Sequence, residues 1–109
     1  MNYDNFEMEC VSALMSSEET PDFIEVMDKI ESKMFRNGSF RDIFIAVKDL
    51  NSKGLEHDFV TVSEKTGISL DGLTSMLTGA MKRGTRLKQY AKKVRQGYYL
   101  RTARDEFTR

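Results

Sequence analysis

Gly38-Ser39-Phe40-Arg41-Asp42-Ile43-Phe44-Ile45-Ala46-Val47-Lys48-Asp49-Leu50 is the stretch that decides the fold class. Phe40, Ile43, Phe44, Val47 and Leu50 fall three or four residues apart, which gathers them on one face of a helix. Gly54 closes the segment near its C-cap. Ahead of it, Asn37-Gly38-Ser39 spells a glycosylation sequon but reads as a turn between helices.

The same period extends in both directions. Phe6, Cys10, Ala13 and Leu14 form a first stripe. Thr20-Pro21 starts a second helix, with Thr capping its free amides and Pro in the first turn; its stripe is Phe23, Val26, Met27, Ile30 and Met34. Thr61-Val62-Ser63-Glu64 has the form of a capping box and predicts a short helix to about Thr66, stopped by Gly67. Leu70, Leu73, Leu77 and Met81 make a fifth stripe. Leu87, Tyr90, Ala91, Val94 and Tyr98 make a sixth, although Gly97 within it costs about 1 kcal/mol relative to Ala. Strand-type alternation is sustained nowhere. The reading is all-α, a compact bundle of about six helices.

At 109 residues the chain has enough length for one domain. It divides into a helical head over residues 1–84 and a basic C-terminal helix over 85–109. The formal net charge of zero conceals this division. Residues 1–81 hold 7 basic and 15 acidic groups, a net of −8, and residues 82–109 hold 10 basic and 2 acidic groups, a net of +8. Such polarity points to an interaction surface. One Cys and one His provide neither a disulfide nor a zinc site. No apolar run reaches the roughly 20 residues of a membrane helix, and the start of the chain lacks a basic signal sequence. The expected location is therefore the cytoplasm.

No catalytic constellation emerges. Gly79 to Arg86 has the glycine spacing of a phosphate loop, but Thr85 and Arg86 stand where Lys and Ser/Thr are required. His57 sits beside Asp58 with no nucleophile placed by any motif, and reads as a solvated or capping residue. Glu18-Glu19 reads as a solvated pair, and Met27, Met34 and Met81 read as core. No cofactor, metal or small-molecule substrate is expected.

Two interaction readings remain. Val62, Ser63, Gly67, Ile68, Leu73 and Met76 follow helix-turn-helix spacing over about 61–81, and a basic wing over about 86–101 would complete a winged DNA-binding domain. Lys82, Arg83, Arg86, Lys88, Lys92, Lys93 and Arg95 are its candidate phosphate contacts. Against it, Ser69, Asp71, Thr74 and Ser75 at the front of the recognition helix include no base-reading Arg or Lys. The other reading is a partner face on the last helix, formed by Leu87, Tyr90, Val94, Tyr98 and Arg101, meeting an acidic surface such as another copy of the chain.

One further set of residues favours the second reading. Phe35, Arg41, Ile43-Phe44, Ala46, Leu50, Gly54, Asp58, Val60-Thr61-Val62 and Glu64 stand in ungapped order. Glu7, Val11, Leu14, Phe23, Val26 and Ile30 precede them, and Arg86-Leu87, Tyr90-Ala91-Lys92, Val94, Leu100 and Arg101 follow. Over roughly residues 6–104 this resembles the N-terminal domain of DnaB-type replicative DNA helicases of bacteria or phage. Ser12 and Ala13 depart from it, standing where the family usually has two glycines, and residues 65–84 are shorter than its usual connection. The family's second hairpin helix and its motor domain do not appear in the sequence. The resemblance implies a head followed by the start of a protruding helical hairpin. It also implies self-association as a non-catalytic collar, and contacts to primase or a helicase loader. The expected function is thus the interaction domain of a replicative helicase, or a stand-alone relative, in a bacterial or phage-infected cell. DNA binding through a winged helix is the alternative.

Overall fold

A single helix, α1 (Asp4–Ser16), is the one on which three of the other helices pack. The computed structural model describes residues 4–16, 21–81 and 87–107. Around α1 lie α2 (Pro21–Lys29), α3 (Gly38–Ser52), α4 (Phe59–Thr66), α5 (Leu70–Met81) and α6 (Leu87–Phe107), with a 3-10 turn over Ser32–Met34. Among the described residues there is no strand. The all-α reading holds. The Thr20 cap, Glu18-Glu19 and the basic residues Lys82, Arg83 and Arg86 lie outside the described residues.

The stripe read on α1 accounts for only part of its burial. From Glu7 to Met15 every side chain is buried except Met8, which is half-buried. The cause is topological: α3, α5 and α6 all pack on α1, so it has no solvent face over this length. Ser12 and Ala13 are buried in this contact, where small side chains permit close approach. The Ser12 hydroxyl donates to Met8 O at 2.8 Å, which satisfies it within its own helix. Cys10 is fully buried, and burial first, then the nearby Glu7 carboxylate, pushes its thiol up to about 12.

The second stripe is divided in two. Ile30 and Met34 are buried as their spacing requires, but α2 ends at Lys29 and Met34 belongs to the separate 3-10 turn. No Gly or Pro breaks the helix here. Tertiary hydrogen bonds hold the backbone from Met34 to Asn37, beyond the 3-10 turn, out of the helix. Glu7, 1% exposed, accepts from the Arg36 and Asn37 amides at 3.0 Å each. Arg41 donates to Phe35 O through Nε at 3.3 Å and Nη2 at 3.0 Å. Arg101, from α6, donates to Met34 O at 3.1 Å. Phe35 and Asn37 are extended, with ψ of 122° at both. Asn37 then caps α3 by accepting from the Ser39 and Phe40 amides, so the sequon Asn is a helix start.

The fourth helix begins earlier than the capping-box spacing implies. Asp58 is its N-cap, accepting from the Thr61 amide at 2.8 Å, and the Thr61 hydroxyl donates to the same oxygen. A carboxylate reaches the exposed amides without needing Glu64 to reciprocate. These bonds from Thr61 hold the Asp58 carboxyl below its usual range. Gly67 ends α4 in the left-handed region, with φ of 79°. The Ser69 side chain accepts from the Gly72 amide at 3.0 Å at the start of α5. Along α5 Leu73 is fully buried, whereas Leu70 is 42% exposed and departs from the stripe. Leu77 and Met81 lie among residues whose side chains are not described.

Two substitutions test this account. Glu7→Ala leaves two amides without their charged acceptor and should lower unfolding free energy by about 3 kcal/mol, with Glu7→Gln intermediate. Gly67→Ala forces a side chain into the left-handed region and should cost about 1–2 kcal/mol. Urea unfolding monitored by circular dichroism measures both.

Candidate interaction surface

The last helix is continuous from Leu87 to Phe107, about 31 Å of axis. This replaces the wing expected near 86–101: a wing requires strand pairing, and the chain here follows the 3.6-residue period. Gly97 is tolerated because it is buried within a packed helix, where tertiary contact outweighs its propensity. Two helices, α4 and α5, do follow one another across a three-residue connection at 67–69. The exposed front of α5 nevertheless shows Leu70, Asp71, Thr74 and Ser75, with no cation to read a base. Gly79 to Met81 continues α5 as helix rather than forming a phosphate-binding loop.

The five residues expected to face a partner are turned toward this chain instead. Leu87 and Val94 are buried in its own core, and Tyr90 and Tyr98 pack half-buried against that core. Arg101 is committed to Met34 O. The apolar stripe on α6 was read correctly, but α1 and α2 are what cover it.

Most described basic residues of α6 are likewise engaged internally. Lys88 meets Glu25 of α2 at 3.1 Å, Lys93 lies over the Phe6 ring, and Arg95 lies over the Tyr99 ring. Lys92 is exposed. Glu25 also receives Lys29 at 2.7 Å, and hydrogen bonds from Lys29 and then Lys88 hold its carboxyl below the usual glutamate range. The charge polarity of the sequence is thus partly satisfied by one copy closing on itself. His57, too, is more embedded than expected: its ring stacks on Phe23 with centroids 5.2 Å apart.

What remains open is a groove of about 900 Å³ between α2 and α6. Val26, Ile30 and Ala91 contribute buried apolar side chains to it. Tyr99 and Leu100 line it while remaining 52% and 55% exposed. The sequence reading names Leu100 only as a position of the family resemblance, and Tyr99 not at all. The signal was there: Tyr98-Tyr99-Leu100 puts large apolar side chains on more than one side of a helix, and one core cannot cover them all. Among the described residues no cluster of His, Cys, Asp or Glu suits a metal, and no helix is long and apolar enough to cross a membrane.

The Glu25 bridge gives a pH test of how α6 is held. Its folded carboxyl titrates below its unfolded one, so the bridge stabilises fully above the ordinary glutamate range and loses that contribution as pH falls through the lowered value. Glu25→Gln should lower the melting temperature at neutral pH, and the gap to the parent chain should close on acidification. Differential scanning calorimetry across that range reads the gap.

Comparison with known proteins agrees with this architecture. No curated protein and no solved structure matches the chain. A family model described as the DnaB-like helicase N terminal domain matches residues 2–96, from before α1 to within α6. Tyr99 and Leu100 lie just beyond the matched segment. With nearly the whole helical bundle inside that match, the chain belongs to the DnaB-like helicase N-terminal domain family.

Proposed function

We propose that this chain is the non-catalytic interaction domain of a replicative DNA helicase, or a free-standing relative of one. It works in DNA replication by associating with further copies of itself and by meeting primase or a helicase loader. Its place of action on this reading is the cytoplasm of a bacterial or phage-infected cell. Family membership supports the helicase relation. The observation that carries the interaction role is the uncovered apolar surface around Tyr99 and Leu100, which core packing leaves exposed.

Sedimentation velocity over a range from low to high micromolar protein tests self-association. The expected result is a weight-average mass that rises with concentration toward a dimer or larger species. A monomer throughout that range removes self-association from the reading. Co-sedimentation with a helicase–primase mixture tests the replication contacts independently.

A further inference from the structure

We infer that the α2–α6 groove receives an amphipathic helix of another protein, one whose apolar stripe is flanked by acidic residues. This rests on the reading of the chain as an interaction domain, and not on its self-association. The groove has the two features that helix docking needs. Its interior is apolar, built on Val26, Ile30 and Ala91, and Tyr99 and Leu100 leave it open rather than enclosed. An open apolar trough suits the side of a helix, with anchors three and four residues apart, better than an enclosed small molecule.

Charge then selects among helices. The groove is bordered by Lys29, Lys88, Lys92 and Arg95, against Glu25 as its acid. Glu25 is already shared between Lys29 and Lys88. Among the described residues, Lys92 and Arg95 have no carboxylate partner. Arg95 Nε is moreover buried without a hydrogen-bond acceptor, a costly state for a polar atom. A carboxylate on an incoming helix supplies the missing charge to this edge of the groove, and a modest turn of the Arg95 side chain brings its donors to that carboxylate.

A second copy of this chain is a poor match. Outside α6, the large exposed apolar side chains among the described residues are Ile24, Ile45, Leu55, Val60 and Leu70. Each lies on a different helix or on a loop. Outside α6, no described helix of another copy therefore presents a stripe of several anchors, and α6 itself is flanked by the basic Lys88, Lys92 and Arg95, which the basic edge of the groove repels.

The test uses the full chain and three fluorescein-labelled synthetic peptides. One carries leucines at helical spacing flanked by glutamates, one has lysines in place of the glutamates, and one is a scramble of the first. Fluorescence anisotropy should show saturable binding of the acidic amphipathic peptide, at least about tenfold tighter than either control. Lys92→Glu, at an exposed position, should reverse the preference between the acidic and basic peptides. Leu100→Asp should abolish binding while circular dichroism and melting temperature stay unchanged. Equal binding of all three peptides, no binding, or indifference to both substitutions overturns the inference. So does sedimentation showing that Leu100→Asp dissolves an oligomer in which the peptide does not compete, because a second copy then fills the groove. A chain that stays monomeric yet binds the acidic peptide upholds the inference while removing self-association.

Discussion

The Glu7 carboxylate is the constraint on which the rest of the arrangement depends. It sits on the central helix and accepts two consecutive backbone amides from Arg36 and Asn37, about thirty residues away. Those amides belong to the corner where the chain leaves the 3-10 turn and enters α3. With Arg41 on Phe35 O and Arg101 on Met34 O, four successive residues have a backbone group held by a side chain from α1, α3 or α6. The corner fixes where α3 begins, and α3 buries Phe40, Ile43, Phe44, Ala46, Val47 and Leu50. Burying a carboxylate costs free energy unless it is hydrogen-bonded, and two charge-assisted bonds from backbone amides offset that cost. They also tie the start of α3 to the central helix.

The charge asymmetry of the sequence acquires a different meaning in three dimensions. An acidic head and a basic tail could only be read as surfaces awaiting a partner. In the folded chain, α6 lies along the head, and several of its cations are occupied: Lys88 on Glu25, Lys93 on Phe6, Arg95 on Tyr99 and Arg101 on a carbonyl. Part of the polarity is therefore an adhesive within one molecule. What is left for other molecules is narrower: exposed Lys92, and an Arg95 that rests on a ring but has no carboxylate among the described residues, beside an apolar groove. That is a weak footprint for a nucleic-acid phosphate backbone and a better one for a protein surface.

Local periodicity made the helices legible, and it did so wherever one face of a helix meets one neighbour, as with Phe40 to Leu50 on α3. It was insufficient where long-range contacts act. The extended corner that follows Met34 is held by Glu7 and Arg101, which no window of neighbouring residues contains. The burial of α1 on all sides depends on how many helices surround it. The Thr61–Glu64 spacing put the cap at Thr61, and only the backbone path shows that Asp58 holds it. The partner face expected on α6 meets a related limit: an apolar stripe declares that it will be covered, without saying by what. For Leu87 and Val94 the cover is the chain's own head. The family resemblance, by contrast, was legible because it rests on the order of many individually weak positions, and a family match over residues 2–96 bears it out.

The chain's single cysteine carries a last consequence. Cys10 is fully buried on the central helix, its thiol pushed up to about 12. Alkylation requires an accessible thiolate, and the folded state withholds both accessibility and ionisation. Every labelling event must then pass through an opening that separates α1 from its neighbours. The rate at which a small alkylating reagent consumes this thiol is thus a built-in clock for opening of the bundle, blind to fraying at the ends of α6. An occupant of the α2–α6 groove that steadied α6 on α1 would slow that clock without touching the sulfur.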